Sequence, residues 1–239
     1  MRILHWNIHS WKDADGAPNR EAVAALIRRT APDVVSLTEV NEPWGAPRTL
    51  TDVASESGYS WIFVPSIEYG TDPSARGYGN ALLTRIPVTA VQQLTVHAHP
   101  HGYDGSEPSE TRSVILARLS GTAAWVGSTH FPASHHSSRK AAARRLRQLT
   151  LQLSAPWIIC GDFNAPPGKL FDGLSDIRVF PPHAEPTFPT RRPRTAIDYV
   201  LASDGVEMTA EVLRVPGSDH LPLLAEVTPS SPATSRHRR

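Results

Sequence analysis

The 239-residue chain reads as an α/β protein whose strands end at one shared site. Three observations carry that reading. Short apolar runs bounded by turn residues recur at strand length, with helically spaced segments between them. Several of these runs stop at an acid, amide or imidazole: Ile3-Leu4-His5-Trp6 at Asn7, Val34-Val35-Ser36-Leu37-Thr38 at Glu39, Ala124-Trp125-Val126-Gly127-Ser128-Thr129 at His130, and Trp157-Ile158-Ile159-Cys160 before Gly161-Asp162-Phe163-Asn164. Near the C-terminus, Gly217-Ser218-Asp219-His220-Leu221-Pro222 puts an acid beside an imidazole at another such junction. In layered α/β folds catalytic groups gather at strand ends and the loops beyond them, so repeated polar strand ends point to a common pocket.

Each element follows from local pattern. Asn19 is placed to cap a helix over residues 20–29, with Ala22, Val23, Leu26 and Ile27 on one side and Pro32 ending it. A strand over 34–38 follows, then a helix near 49–57 and strands near 61–64, 81–84 and 88–96. Residues 97–110, rich in Gly, Pro, His and acids, read as a loop. Strands resume at 113–119 and 124–128. Ser137 or Ser138 is placed to cap a basic helix to about Leu153, whose buried stripe is Ala142, Leu146, Leu149 and Leu153. Strands over 196–202, 206–215 and 221–227 complete a single domain of residues 1–228, and residues 229–239 read as a disordered tail. There is no internal repeat.

Composition bounds the partners. Lys and Arg number 24 against 23 Asp and Glu, a net charge of +1, so any attraction to phosphate rests on local patches rather than on a global field. Two such patches exist: Arg139, Lys140, Arg144, Arg145 and Arg147 on one helix, read chiefly as a solvated face, and Arg191, Arg192 and Arg194 in a loop before Asp198. Cys160 is the one cysteine and lies in an apolar run, which excludes an intrachain disulfide and fits a buried thiol. The start lacks the long apolar stretch of a signal peptide, and no segment is long and apolar enough to span a membrane, so a cytoplasmic monomer is expected.

Residue types suggest a chemistry. Cleaving a phosphoester needs a cation to neutralise the phosphate, an acid to orient or deprotonate water, and donors to the equatorial oxygens. Glu39 and Asp219 offer hard carboxylate oxygens and Asn7 a neutral one, a set suited to Mg²⁺ or Mn²⁺ rather than zinc. Side chains two apart on a strand share a face, so Asp162 and Asn164 point the same way. Asp198 is expected to hold His220, fixing its tautomer as carboxylates do in other hydrolytic sites. Each feature also has a plainer reading: Glu39 as a solvated strand end, Asp198 as a loop-closing acid, and Asn164-Ala165-Pro166-Pro167-Gly168 as turn chemistry alone. Two histidine groups, His97, His99 and His101 and then His130, His135 and His136, have spacing that zinc could use, but no cysteine joins them and a polar rim loop explains them better.

Seven segments in order, Trp6-Asn7-Ile8-His9, Thr38-Glu39-Val40, Gly79-Asn80-Ala81-Leu82-Leu83-Thr84-Arg85, Thr129-His130, Gly161-Asp162-Phe163-Asn164, Ile197-Asp198-Tyr199-Val200 and Ser218-Asp219-His220, resemble the endonuclease/exonuclease/phosphatase superfamily. These are metal-dependent phosphoesterases that include deoxyribonuclease I, and the match is closest to the small, compact bacterial members. The resemblance implies a four-layer α/β/β/α sandwich of two packed β-sheets with outer helices, its active site in the loops at one edge. It implies in-line attack by water, with Asp162 orienting or activating it, Asn164 donating to the pentavalent phosphate and His220 relaying a proton. His130 would bond a phosphate oxygen or protonate the leaving group, while Asn80 and Arg112 would complete the phosphate pocket. The acidic partner such a histidine has in deoxyribonuclease I has no clear match, since Ile67-Glu68-Tyr69-Gly70 does not reproduce the pattern. The substrate classes are a nucleic-acid phosphodiester and a small phosphorylated compound or phospholipid headgroup. A non-catalytic binding or scaffold protein retaining the fold is the reading from a different class.

Overall fold

The first strand sets the layering. β1 (Arg2–Asn7) buries its last five residues in succession, which requires cover on both faces of its sheet. Ile3 joins Val34, Ile115, Ile158, Val200 and Ala225 in a core between two sheets. Leu4 and Trp6, pointing the other way, pack with Val23, Ile27, Leu50 and Val53 in a second core outside. This computed structural model describes residues 1–43, 48–69, 76–98, 110–122, 124–153 and 156–228. The expected tail and residues 99–109 of the expected loop lie outside the described residues.

After β1 come a 3₁₀ turn (His9–Trp11), α1 (Arg20–Thr30), β2 (Val34–Pro43), α2 (Arg48–Ser57), β3 (Ser60–Tyr69), β4 (Arg76–Thr84), β5 (Val88–His97), β6 (Arg112–Leu119) and β7 (Trp125–His130). Then follow α3 (His136–Thr150), β8 (Trp157–Asp162), α4 (Pro167–Leu170), β9 (Ile177–Phe180), β10 (Asp198–Ser203), β11 (Met208–Val212) and β12 (Leu223–Val227). One six-stranded sheet runs β11-β12-β1-β2-β4-β3 and the other β5-β6-β7-β8-β10-β9. Both are mixed: β1 pairs parallel with β2 and β7 with β8, the remaining pairs being antiparallel. α1 and α2 cover the first sheet, and α3 covers the second through Ala142, Ala143, Leu146 and Leu149 against Leu116, Trp157, Ile159 and Leu201. The expected four-layer α/β/β/α sandwich is therefore present. Fully burying a Leu or Ile in such layers contributes about 1.5–3 kcal/mol before ordering costs.

Two caps differ from expectation. Asn19 stands just before α1 but makes no cap bond; its amide nitrogen donates to Ile8 O (3.0 Å), Lys12 O (2.8 Å) and Gly217 O (2.6 Å). It thus ties the exit of β1 to the turn that carries Asp219 and His220, a use of its donors that outweighs capping. α3 begins at His136 after an extended His135, so Ser137 and Ser138 fall inside its first turn and cap nothing. The helix ends at Thr150 rather than near Leu153. α4 and β9 span four residues each, too few for periodicity to announce them. α2, by contrast, has a cap supplied from a distance: buried Glu42 accepts the Leu50 amide at 2.9 Å, placing negative charge at the positive end of the helix.

Candidate active site

Strand register brings the polar ends level. In the second sheet His130 pairs with Asp162 across β7 and β8, and Asp162 with Asp198 across β8 and β10. In the first, Asn7 pairs with Thr38. Alternation then aims the side chains: Cys160 and Ile158 face the inter-sheet core and so does Asp162, as Val200 and Ala202 do with Asp198. Gly161 allows the close approach that this alignment needs, since a Cβ there would lie 2.6 Å from Thr129 O. Glu39 is redirected differently. β2 is irregular between Leu37 and Val40, and Glu39 adopts φ 57°. Asn164 and the run His9, Ser10 and Trp11 are also left-handed, so strained backbone concentrates around this one end of the sandwich.

Asp162 is the hub. It is 1 % exposed. Its Oδ2 accepts from Asn7 Nδ2 at 2.9 Å, and its Oδ1 accepts the Asn164 amide at 2.9 Å. His130 Nε2 and His220 Nε2 approach Oδ2 to 3.5 and 3.7 Å. Burial, reinforced by the neighbouring Asp198 charge, pushes the Asp162 carboxyl up to about 7. Asp198 behaves oppositely. Burial would raise it, but the charge and hydrogen bond of His220 outweigh that and hold it below the usual carboxylate range. His220 Nδ1 donates to Asp198 Oδ2 at 2.8 Å, and Thr187 Oγ1 donates to the same oxygen at 2.6 Å. Burial alone would lower His220, yet Asp198 and Asp162 raise it to about 10. The ring is held further by Phe188, 4.7 Å away between centroids, and its backbone carbonyl accepts from Trp6 Nε1 at 2.9 Å.

His130 meets a cation where a carboxylate was sought. Arg112 Nη1 lies 3.0 Å from His130 Nδ1, and Arg112 Nη2 pairs with Glu110 at 2.6 Å. A guanidinium is always a donor, so Nδ1 accepts and the ring proton sits on Nε2, directed at Asp162 Oδ2, 3.5 Å away, while Asn164 Nδ2, 3.0 Å from the same nitrogen, donates to Phe131 O. Asp162 is the acceptor of the two. Burial, then the Arg112 charge, keep His130 well below the usual imidazole range, so the ring is neutral. The side chain of Glu68 lies outside the described residues. Asn80, expected beside Arg112 in the phosphate pocket, donates to Ser113 O at 3.1 Å and is buried.

Among the described residues, two sets of three groups have ligand atoms within 4.8 Å of one another: Glu39, His130 and Asp162, and Asp162, Asp198 and His220. Asn7 Nδ2 donates to Glu39 Oε1 at 3.0 Å as well as to Asp162, so one amide gathers two carboxylates. That crowding of negative oxygens fits a hard divalent cation. Asp219 belongs to neither set. It lies 3.2 Å from Ser218 Oγ, whose hydroxyl donates to Asn7 O at 2.7 Å, and 3.8 Å from His9 Nδ1. Asn7 and Glu39 are thus in direct contact, and Asp219 flanks them through Ser218. Of the histidine groups considered for zinc, the first has His99 and His101 outside the described residues; in the second, His135 and His136 are exposed while His130 is buried, and the three form no metal set. Of the basic helix, Arg139 is spent on the carbonyls of Pro132 and Ala133 and Arg147 on Asp176.

The charge states have a consequence for stability. His220 keeps its proton in the folded protein to about 10 but loses it near 6.5 when unfolded, so its contribution is complete below about pH 6.5 and is lost as pH rises toward 10. In chelator, the melting temperature is expected to fall between pH 7 and 10, and His220→Gln to flatten that slope. An equal slope in both proteins would show that the imidazole is not held protonated.

Residues missed by the sequence reading are His5, Thr187, Phe188 and Tyr78, whose ring lies 5.7 Å from the Arg112 guanidinium carbon. Thr187 and Phe188 precede Pro189 in a loop with no strand periodicity, so no pattern in the sequence marked them.

The same fold occurs in solved structures at low sequence identity. An endonuclease/exonuclease/phosphatase from Beutenbergia cavernae DSM 12333 aligns with a TM-score of 0.73 and 21% identity, over 95% of this chain and 71% of its own. A mannosyl-6-phosphatase from Bacteroides thetaiotaomicron VPI-5482 gives 0.72 and 15%, over 95% and 99%. Truncated Caenorhabditis elegans TDP2 gives 0.65 and 17%, over 95% and 96%. No curated protein matches the chain by sequence. The profile of the endonuclease/exonuclease/phosphatase family matches residues 4–220, a span that begins inside β1 and closes on His220. With that span matched, the chain belongs to the endonuclease/exonuclease/phosphatase family.

Proposed function

We propose that the protein is a divalent-metal-dependent phosphoesterase that cleaves a phosphoester by in-line attack of water. The observation that carries this reading is the hub at Asp162, where a carboxyl near 7 meets donors from Asn7 and Asn164 and faces two imidazoles of opposite protonation. Glu39 and Asn7, with Asp219 beside them, would hold Mg²⁺ or Mn²⁺, which would neutralise phosphate charge and polarise the P–O bond.

The chain's own residues supply the rest. Asp162 takes the proton that the attacking water loses, an assignment that a carboxyl tuned near neutrality favours. The water oxygen forms a bond to phosphorus as the ester P–O bond breaks. Asn164 Nδ2, the neutral His130 Nε2–H and the cationic His220 Nε2–H donate to the equatorial oxygens, where negative charge grows. Arg112 on the far nitrogen of His130 disfavours a second proton there, so His130 serves as a hydrogen-bond donor and the leaving oxygen is protonated from solvent. A purely binding or scaffold role gives no reason to keep a buried carboxylate pair beside two histidines, since buried charge is costly unless it is used.

The test is a panel of phosphoesters, comprising a sugar phosphate, a phospholipid headgroup ester, and single- and double-stranded nucleic acid, assayed with Mg²⁺, with Mn²⁺ and with chelator. Turnover is expected with either cation, little with Ca²⁺ and none in chelator; full turnover in excess chelator would sink the metal assignment.

Nucleic acid stays on the panel because of one loop. Thr190 binds the carbonyls of both Asp219 and Ser218, so the arginines beside it stand at the rim of the site. Arg191 pairs with Asp15, whereas exposed Arg192 and Arg194 have no ion pair among the described residues. A nucleic-acid substrate would bind less tightly as salt rises, with a slope that flattens when Arg191, Arg192 and Arg194 are replaced together. A flat salt response in the unaltered protein would favour a small phosphoester, the class suggested by the likeness to a mannosyl-6-phosphatase.

A further inference from the structure

In the Asp198–His220 pair one carboxylate oxygen, Asp198 Oδ1, accepts no hydrogen bond. Oδ2 takes both His220 Nδ1 and Thr187 Oγ1, while Oδ1 is buried without a hydrogen bond. What faces it is His5 Nε2, 3.6 Å away, also buried and also without a partner. Two unpaired polar atoms of complementary type facing each other in a core are costly apart and favourable together.

The other side of the His5 ring explains which atom carries its proton. His5 Nδ1 lies 3.0 Å from Ser36 Oγ, and Ser36 Oγ lies 2.8 Å from Ser128 Oγ. Ser36 is the register neighbour of His5 on β2, and Ser128 stands on β7 of the opposite sheet. Hydroxyl hydrogens rotate to suit their surroundings. The 2.8 Å contact can run from Ser36 to Ser128 or the other way; a carboxylate oxygen facing His5 Nε2 selects the second, in which Ser128 donates to Ser36, Ser36 donates to His5 Nδ1, and the single proton of a neutral imidazole lies on Nε2, aimed at Asp198 Oδ1. Only a weak 3.5 Å contact from Ser128 to Leu37 O is given up in that arrangement. The chain of groups runs from the second sheet to the first and back, beneath the site and within a layer otherwise lined by Ile3, Val34 and Cys160. Burying an imidazole and two hydroxyls there costs stability that three apolar side chains would not.

We propose that His5 is a positioning residue, which holds Asp198 from the side opposite His220 through the Ser128–Ser36 relay and so fixes the direction of the His220 ring. The idea rests on the reading of Asp198 and His220 as a working pair, and its test is chosen to stand apart from that reading.

The first measurement needs no substrate. In protein with ¹⁵N-labelled histidine, the His220 Nδ1–H proton bonded to Asp198 is expected at low field, and to move upfield or broaden in His5→Ala and Ser36→Ala while largely returning in His5→Gln, whose amide can reach Asp198 Oδ1. A His220 resonance unmoved by His5→Ala and Ser36→Ala overturns the proposal. The second measurement uses any substrate turned over by the unaltered protein. His5→Ala is expected to lower kcat about 10–100-fold with KM unchanged, the size typical of losing an outer partner of a functional group, with His5→Gln recovering most of it. In an Asp198→Asn background the same change should cost less than about twofold, because coupled residues lose their effect once the partner is gone. Equal kcat in His5→Ala and the unaltered protein, or additive losses with Asp198→Asn, overturns it, since a histidine that only packs would change the melting temperature and nothing else. Should His5→Ala fail to fold, His5→Gln and Ser36→Ala carry both measurements. If no phosphoester is cleaved by the unaltered protein, the proposed function fails while the His220 resonance still decides the role of His5.

Discussion

Asp162→Asn is expected to remove nearly all turnover from a protein that still folds. The substitution keeps the volume of the side chain and its Oδ1 bond to the Asn164 amide, but it replaces the oxygen that accepts from Asn7 and faces both imidazoles with a nitrogen that accepts nothing. Loss of a positioned base costs on the order of 10²–10⁴-fold in rate, about 3–5 kcal/mol at 1.36 kcal/mol per tenfold. Folding is affected far less. The carboxyl is destabilised where it stands, by burial and by Asp198, so removing its charge offsets the donor–donor clash with Asn7. The check is kcat/KM at saturating metal alongside circular dichroism and a melting curve. Turnover within tenfold of the unaltered protein would reduce Asp162 to the turn-closing residue that Asn164-Ala165-Pro166-Pro167-Gly168 also permits.

The sandwich was legible because strand endings and the two-residue repeat are local properties. Apolar runs such as Val34-Val35 and Ile158-Ile159 declare buried strands, and the residue that ends each run must face whatever lies beyond the sheet. Asp162, Asp198 and His220 meet for that reason, and Asn7 joins them from the opposite sheet. Three things were beyond the sequence. Register decides that His130 lies level with Asp162, and it depends on pairing between segments far apart in the chain. The environment of His130 depends on Arg112, expected in the phosphate pocket rather than against that ring, a contact that exists only because β6 lies beside β7. His5 looked like part of an apolar run, because a buried polar residue announces itself only through the partners that folding supplies. Asn19 shows the converse: a residue ideal for capping is drawn into a stronger use by carbonyls converging from Ile8, Lys12 and Gly217.

The second large effect concerns Asp198 and His220 together. His220→Ala is expected to cost several kcal/mol of transition-state stabilisation, on the order of what a cationic donor to the equatorial phosphate oxygens supplies. Asp198→Asn should cost somewhat less, because Thr187 and the tilted ring of Phe188 still constrain the site while the charge that holds the imidazolium is gone. The double variant should then lose little more than His220→Ala alone. The reason is in the bonding: the acid reaches the substrate only through His220 Nδ1, at 2.8 Å, so without the ring it has nothing to orient. kcat/KM for the four proteins at saturating metal, after circular dichroism shows them equally folded, closes the cycle. Strictly additive losses would separate the two residues and return Asp198 to a loop-closing role beside Thr187. The same cycle run at several pH values adds a second discriminator. Because Asp198 raises the His220 imidazole, Asp198→Asn should move any alkaline fall in activity to lower pH, and a limb that stays in place would mean the imidazole draws its charge from elsewhere.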